Sequence, residues 1–204
     1  MNESDPQSIN RTIEPTSFLQ GEVLLPGDKS ISHRAALLAS MSQGLSIINN
    51  FSESEDCLHT LNCLEGIGVK IERLPKRISI EGLGIHQLKS PIRTLHAGNS
   101  GTLMRLMSGI LSGLPFSSRI EGDASLTSRP MDRIIVPLTA MGGQIEAHEH
   151  RFPPLIIRGQ RLKGIKYELP VASAQVKSCL LLAGLLAKGT TTLIEPIPTR
   201  NHTE

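Results

Sequence analysis

The chain of 204 residues has no tryptophan, one tyrosine and four phenylalanines. Aromatics at 2% give no stacking platform for nucleic-acid bases. Only three cysteines occur, Cys57, Cys63 and Cys179, and no two form a C-x-x-C pair. Neither a disulfide framework nor a zinc site is expected, and reduced thiols fit a cytoplasmic protein. The longest apolar run, around Leu180–Leu186, is far too short to span a bilayer. The opening residues, MNESDPQSIN, lack the basic-then-apolar pattern of a secretion signal. An excess of one charge is also missing: 21 basic against 19 acidic residues leave a formal +2. That gives no reason to expect a nucleic-acid partner. At 39% hydrophobic and 20% charged residues the composition is that of a globular protein, with length for one large domain or two small ones.

Familiar ligand motifs are absent too. A Walker loop needs Gly immediately before its Lys, but Asp28 stands before Lys29, and no G-x-G-x-x-G follows a strand. His33, His86, His96, His148, His150 and His202 show no metal-ligand spacing. No metal and no cofactor are expected.

What is present is LPGDKSISHRAALL, from Leu25 to Leu38. The turn Pro26-Gly27-Asp28 delivers Lys29, Ser30, Ser32, His33 and Arg34 into the opening turns of an apolar helix. A helix N-terminus carries unpaired N–H groups and about half a positive charge. Basic residues there are unfavourable unless an anion is bound, so the cluster reads as a phosphate or carboxylate site. The alternative is that Lys29 and Arg34 are solvated charges, with Ser30 or Ser32 capping the helix.

The same pattern recurs. Arg34, Arg105 and Lys177 lie 71 and then 72 residues apart. Each leads an apolar helix, a C-terminal Gly (Gly44, Gly113, Gly189) and a β-branched strand. A second helix repeats at an offset of 74, with Leu61, Leu64, Ile67 and Gly68 matching Ile135, Leu138, Met141 and Gly142. The spacing predicts an α/β (α+β) protein of repeated βαβαββ units, about 21–90, 91–165 and 166–204, packed around a pseudo-threefold axis. The third unit breaks off after one helix and one strand, as its second helix seeks to open at Thr203.

Equivalent turns carry further donors. His96-Ala-Gly-Asn-Ser-Gly-Thr102 opens the second unit, with Gly98 and Gly101 permitting close backbone approach. Arg129, before Pro130, suits the first turn of a helix; it either pairs with Asp123 or Asp132 or binds ligand. Ser173-Ala-Gln-Val-Lys-Ser178 gathers hydroxyl, amide and ammonium groups at the third helix start. If the units pack around one axis, these helix ends converge on one face suited to small polyanions.

LPGDKSISHRA, GNSGTLMR, SLTSRPMD, SAQVKSCLLLAGL and TRNHTE, in order from about Ile13 to Glu204, closely resemble the 5-enolpyruvylshikimate-3-phosphate synthase family, in its bacterial class II branch. The resemblance implies a fold of two similar domains with substrates between them. It implies transfer of enolpyruvyl from phosphoenolpyruvate to the 5-hydroxyl of 3-phosphoshikimate, with release of phosphate, on the route to chorismate and the aromatic amino acids. Carried over residue by residue, Lys29 would touch both substrates. Ser30, Arg34, Ser173, Ala174, Gln175 and Arg200 would hold 3-phosphoshikimate. Asn99, Gly101 and Arg129 would belong to the phosphoenolpyruvate site, with Gln175 reaching it. Gly101 would leave room for glyphosate, making the full-length parent a glyphosate target.

Family members are about twice this length, and their second half supplies the catalytic carboxylates. Addition–elimination needs a general base and acid, and no carboxylate in these motifs suits that role; Asp28 is expected to be ionised and paired with Lys29 or Arg34. The expectation is half a site, with little turnover until the missing half joins as partner, and a monomeric full-length protein. Residues 1–20 resemble a segment that crosses to the other domain. Two alternatives remain: a truncated, non-catalytic binder of phosphate esters, and a UDP-N-acetylglucosamine enolpyruvyl transferase. The latter's first motif reads Lys-Asn, lacks an Arg34 equivalent and goes with a loop cysteine absent from SLTSRPMD.

Overall fold

A computed structural model describes residues 12–204 of the chain. Its first helix, α1 (Lys29–Met41), leads into β1 (Gln43–Asn49), α2 (Glu55–Gly66), β2 (Lys70–Leu74) and β3 (Arg77–Leu83). A 3-10 turn (Ile85–Gln87) leads to β4 (Leu95–His96), α3 (Gly101–Gly113), β5 (Ser117–Glu121), the short α4 (Ala124–Thr127) and α5 (Asp132–Ala140). Next come β6 (Gln144–His148), β7 (Phe152–Arg158), β8 (Leu162–Lys163) and β9 (Lys166–Glu168). The last elements are α6 (Ala174–Leu185), β10 (Ala187–Lys188) and β11 (Thr192–Ile194).

The repeat seen in the sequence recurs in the pairing. One sheet runs β1-β3-β2, another β4-β5-β7-β6. In both, the strand after the first helix lies antiparallel to the unit's last strand, placing Ile48 opposite Ile78 and Ser118 opposite Ile157. In the second unit β4 runs parallel to β5, and in the third β9 runs parallel to β11. The expected leading strand of the first unit is a correction. Residues 12–28 carry no helix or strand, and Val23, Leu24 and Leu25 are exposed. The apolar pattern there is strand-like, but among the described residues no neighbour offers its backbone a ladder. Of the expected crossover segment, residues 1–11 lie outside the described part. No helix opens at Thr203 either: residues 195–204 run irregularly.

The core is organised around the first helix of each unit. α3 packs on α6 and touches α1. It is apolar almost all round, and Leu103, Met104, Leu106, Met107 and Ile110 are fully buried, as expected of a central rather than a surface helix. Ser108 and Ser112 are buried there too, each donating its hydroxyl to the carbonyl four residues back. Close approach of α3 and α6 depends on Gly109, where a Cβ would collide with the Cys179 carbonyl. Burial pushes the thiols of Cys63 and Cys179 up to about 12, so both act as small apolar side chains.

Candidate functional site

Helix starts divide into two kinds. The second helices open in the ordinary way, α2 with Glu55 and Asp56 in its first turn and α5 with Asp132. The three central helices carry no acid in the first turn. Each is capped by one side chain. Asp28 accepts from the Ile31 N–H at 2.7 Å, Ser100 from Leu103 at 3.2 Å and Ser173 from Val176 at 3.3 Å. The remaining N–H groups and the dipole stay available to an anion.

Three arginines gather at these ends. Arg34 is 5% exposed, and its guanidinium donates to Ser30 O (2.9 Å), Thr203 Oγ1 (2.7 Å) and Ser178 Oγ (2.6 Å). Arg105 donates to Gly101 O (3.2 Å), Pro130 O (3.3 Å) and Gln175 Oε1 (2.8 Å). Arg129 donates to Asn99 Oδ1 (2.5 Å) and Ser125 Oγ (3.1 Å). Among the described residues none of the three has a carboxylate within ion-pair distance. Burial pulls the pKa values of Arg34 and Arg105 below the ordinary arginine range, and for Arg105 the charges of Arg129 and Arg133 add to it. Neutral acceptors hold these groups in place with no carboxylate in direct contact, although Glu204 and Asp28 act on Arg34 and Asp123 on Arg129 from farther off, an arrangement that suits an anion site.

A pocket of about 170 Å³ lies where α1, α3 and α6 meet the 195–204 segment. Ser30 and Arg34 line it from α1, Ala174 and Gln175 from α6, and Arg200 from the last segment. These are five of the seven residues expected to hold 3-phosphoshikimate. Ser173 sits beside them as the α6 cap. Lys29 stands apart from the lining: its ammonium pairs with Asp56 of α2, and its side chain is half exposed. A drug-sized site encloses about 300–1,000 Å³, so this pocket wraps only part of a ligand. The larger hollows, among them those bounded by Phe51 and Ile78 and by His59 and Ile92, lack converging helix ends.

Asn99, Gly101 and Arg129 form a neighbouring group, tied together by the Arg129–Asn99 bond. Gln175 joins the two groups, accepting from Arg105 and donating to Thr102 Oγ1 at 2.9 Å.

Residues 13–204 match the family model described as EPSP synthase (3-phosphoshikimate 1-carboxyvinyltransferase). The chain belongs to the EPSP synthase family. It is 48% identical over 196 residues to a 3-phosphoshikimate 1-carboxyvinyltransferase of Solibacter usitatus, covering 96% of this chain and 46% of that protein. Against the enzyme of the same name from Methylococcus capsulatus it is 52% identical over 195 residues, covering 95% and 45%. EPSP synthase from Acinetobacter baumannii has the same fold, with a TM-score of 0.87 at 50% identity over 90% of this chain and 42% of that one. The chain thus spans about half the length of the curated relatives it matches.

Four local expectations change. Arg129 does not open a helix: α4 closes at Thr127, α5 opens at Asp132, and Arg129 lies in the turn between, where the following proline disfavours helical backbone. Neither Asp123 nor Asp132 pairs with it. Asp123 caps α4 and accepts from Asn99 Nδ2 at 2.8 Å, while Asp132 lies 3.9 Å from Arg151. Asp28 caps α1 instead of pairing with Lys29 or Arg34. Lys177 is not free at the third helix start; Glu195 and Glu204 neutralise it. Sequence reasoning did not assign Arg105, Thr102, His202 and Ser178 to the site. Arg105 left a trace as the second cation of the repeat, and Thr102 and Ser178 as donors in the motifs at the second and third helix starts; His202 left none.

Proposed function

We propose that this chain carries the 3-phosphoshikimate-binding half of a 3-phosphoshikimate 1-carboxyvinyltransferase. The observation that carries the reading is the meeting of α1, α3 and α6 at a pocket whose arginines lack carboxylate partners among the described residues. Arg34 and Arg200, with the hydroxyl of Ser30 and the Ala174–Gln175 end of α6, suit a phosphorylated, polyhydroxylated ring. Residues 21–204 form the enolpyruvyl transferase domain, in units of about 21–90, 91–165 and 166–204.

Lys29, which pairs with Asp56, exchanges it for substrate anions when they bind. The Asn99–Gly101–Arg129 group receives phosphoenolpyruvate, and glyphosate competes there. Pre-placed cations stabilise charge developing on the departing phosphate at little reorganisation cost. The general acid and base come from the other half of the enzyme, so the isolated chain binds but does not turn over. The assembled protein works as a cytoplasmic monomer without nucleic-acid partners.

Mixing the chain with the complementary half of a relative and assaying phosphate release tests this. Activity should need both parts and both substrates. Multiple turnovers by the purified chain alone would contradict the division of labour. Specific binding of UDP-N-acetylglucosamine would favour the sister transferase instead.

A further inference from the structure

Lys177 occupies the repeat position of Arg34 and Arg105 but faces away from any ligand role. It is 4% exposed, and its ammonium lies 2.9 Å from Glu195 Oε2 and 2.5 Å from Glu204 Oε1. Those carboxylates bracket one irregular segment, which leaves β11 at Glu195 and carries Arg200 and His202 into the pocket. Thr199 tightens the first end by donating its hydroxyl to Glu195. Thr203 tightens the second, bonding Arg34 at 2.7 Å and Ser178 at 2.6 Å.

We propose that Lys177 is a positioning residue, which clamps both ends of the 195–204 segment to α6 and so holds Arg200 over the pocket. The proposal rests on the reading of Arg200 as a 3-phosphoshikimate contact. An ammonium stripped of water needs its carboxylates, the largely buried Glu195 and the more exposed Glu204. Removing the ammonium leaves Glu195 and Glu204, at the two ends of the segment, repelling one another. The segment then lifts, and Arg200 leaves with it.

Lys177→Met, Arg200→Ala, the double variant and Lys177→Arg, all in the full 204-residue chain, test this by calorimetric titration with 3-phosphoshikimate. Hydrogen exchange of residues 196–203 is followed in parallel, with Glu195→Gln as a milder break of the same clamp. Either single variant should weaken binding about tenfold or more, the range of a lost charged hydrogen bond. The double variant should be no weaker than the worse single, and Lys177→Arg should recover most of the loss. Exchange in 196–203 should rise in Lys177→Met and Glu195→Gln but not in Arg200→Ala. Unchanged exchange in both clamp variants, or losses that multiply in the double variant, would overturn the proposal. If Arg200→Ala binds normally while the clamp variants free the segment, the clamp stands and the assignment of Arg200 to the ligand falls.

Discussion

The N-terminal ends of α1 and α6 bear a cation at the same repeat position, and they treat it in opposite ways. On α1, Arg34 is held by a backbone carbonyl and two hydroxyls, all neutral. On α6, Lys177 is held by two carboxylates. Both are buried to a similar degree. Burial therefore does not distinguish a ligand-directed cation from a structural one; the charge of its partners does. A cation matched with neutral acceptors keeps its field for an incoming anion, whereas one matched with carboxylates has spent it on the fold. Arg105, bound to two carbonyls and the Gln175 amide oxygen, falls with Arg34.

The strongest way to break the contrast is Arg34→Met. Loss of about 2–3 kcal/mol of charge-assisted bonding should weaken 3-phosphoshikimate on the order of 100-fold, read by calorimetry. Arg34→Lys should regain only part of this, because an ammonium cannot reproduce the fork to Ser30, Ser178 and Thr203. Unchanged affinity in Arg34→Met would place Arg34 with Lys177 as a structural cation.

His33 is the neighbouring control, a buried titratable group with one bonded nitrogen. Its Nδ1 lies 2.6 Å from Thr60 Oγ1, while Nε2 has no partner. Burial chiefly, partly offset by Asp56 and aided by Lys29 and Arg34, lowers its pKa from 6.5 to about 4. The unfolded chain therefore takes up a proton that the folded chain refuses as pH falls from about 6.5 to about 4. Stability should be full above that window and drop within it by about 2–3 kcal/mol. Urea unfolding at pH 7 and pH 4.5 measures this, and His33→Gln should flatten the difference. An equal drop in the variant would clear His33 of the effect.

A smaller effect comes from prising the two central helices apart. Gly109→Val forces α3 off the Cys179 carbonyl and should destabilise by about 1–3 kcal/mol in urea unfolding. It should also weaken ligand binding by loosening the Arg105–Gln175 bond. A variant as stable as the parent would show that the helices have slack. The smallest change is Gly101→Ala, whose Cβ would stand 2.7 Å from an Arg105 guanidinium nitrogen. Pushing that side chain off its rotamer costs about 0.5–1.5 kcal/mol. In the complemented enzyme, glyphosate inhibition should weaken about threefold or more, with a smaller loss of 3-phosphoshikimate affinity because the displaced nitrogen is the one bonded to Gln175.

Much of this was legible along the chain. Apolar periodicity and capping residues placed α1, α3 and α6, and the offsets of 71, 72 and 74 revealed the units because each copy buries the same face. Motif spelling brought Ser30, Arg34, Ala174, Gln175 and Arg200 to one pocket. Two kinds of fact stayed hidden. Partners distant in sequence were one: nothing local marks Lys177 as meeting Glu195 and Glu204, or Gln175 as meeting Arg105. Backbone pairing was the other: VLL at 23–25 reads as a strand, but a strand also needs a neighbour, and that is a tertiary fact.

The most direct measurement is calorimetric titration of the chain with 3-phosphoshikimate, with UDP-N-acetylglucosamine as control. A pre-assembled half-site predicts saturable binding of 3-phosphoshikimate alone, weakened on the order of 100-fold by Arg34→Met and unaffected by omitting phosphoenolpyruvate. No binding by a chain that unfolds cooperatively in urea would contradict it, showing that the unpaired arginines on α1 and α3 are not yet a site.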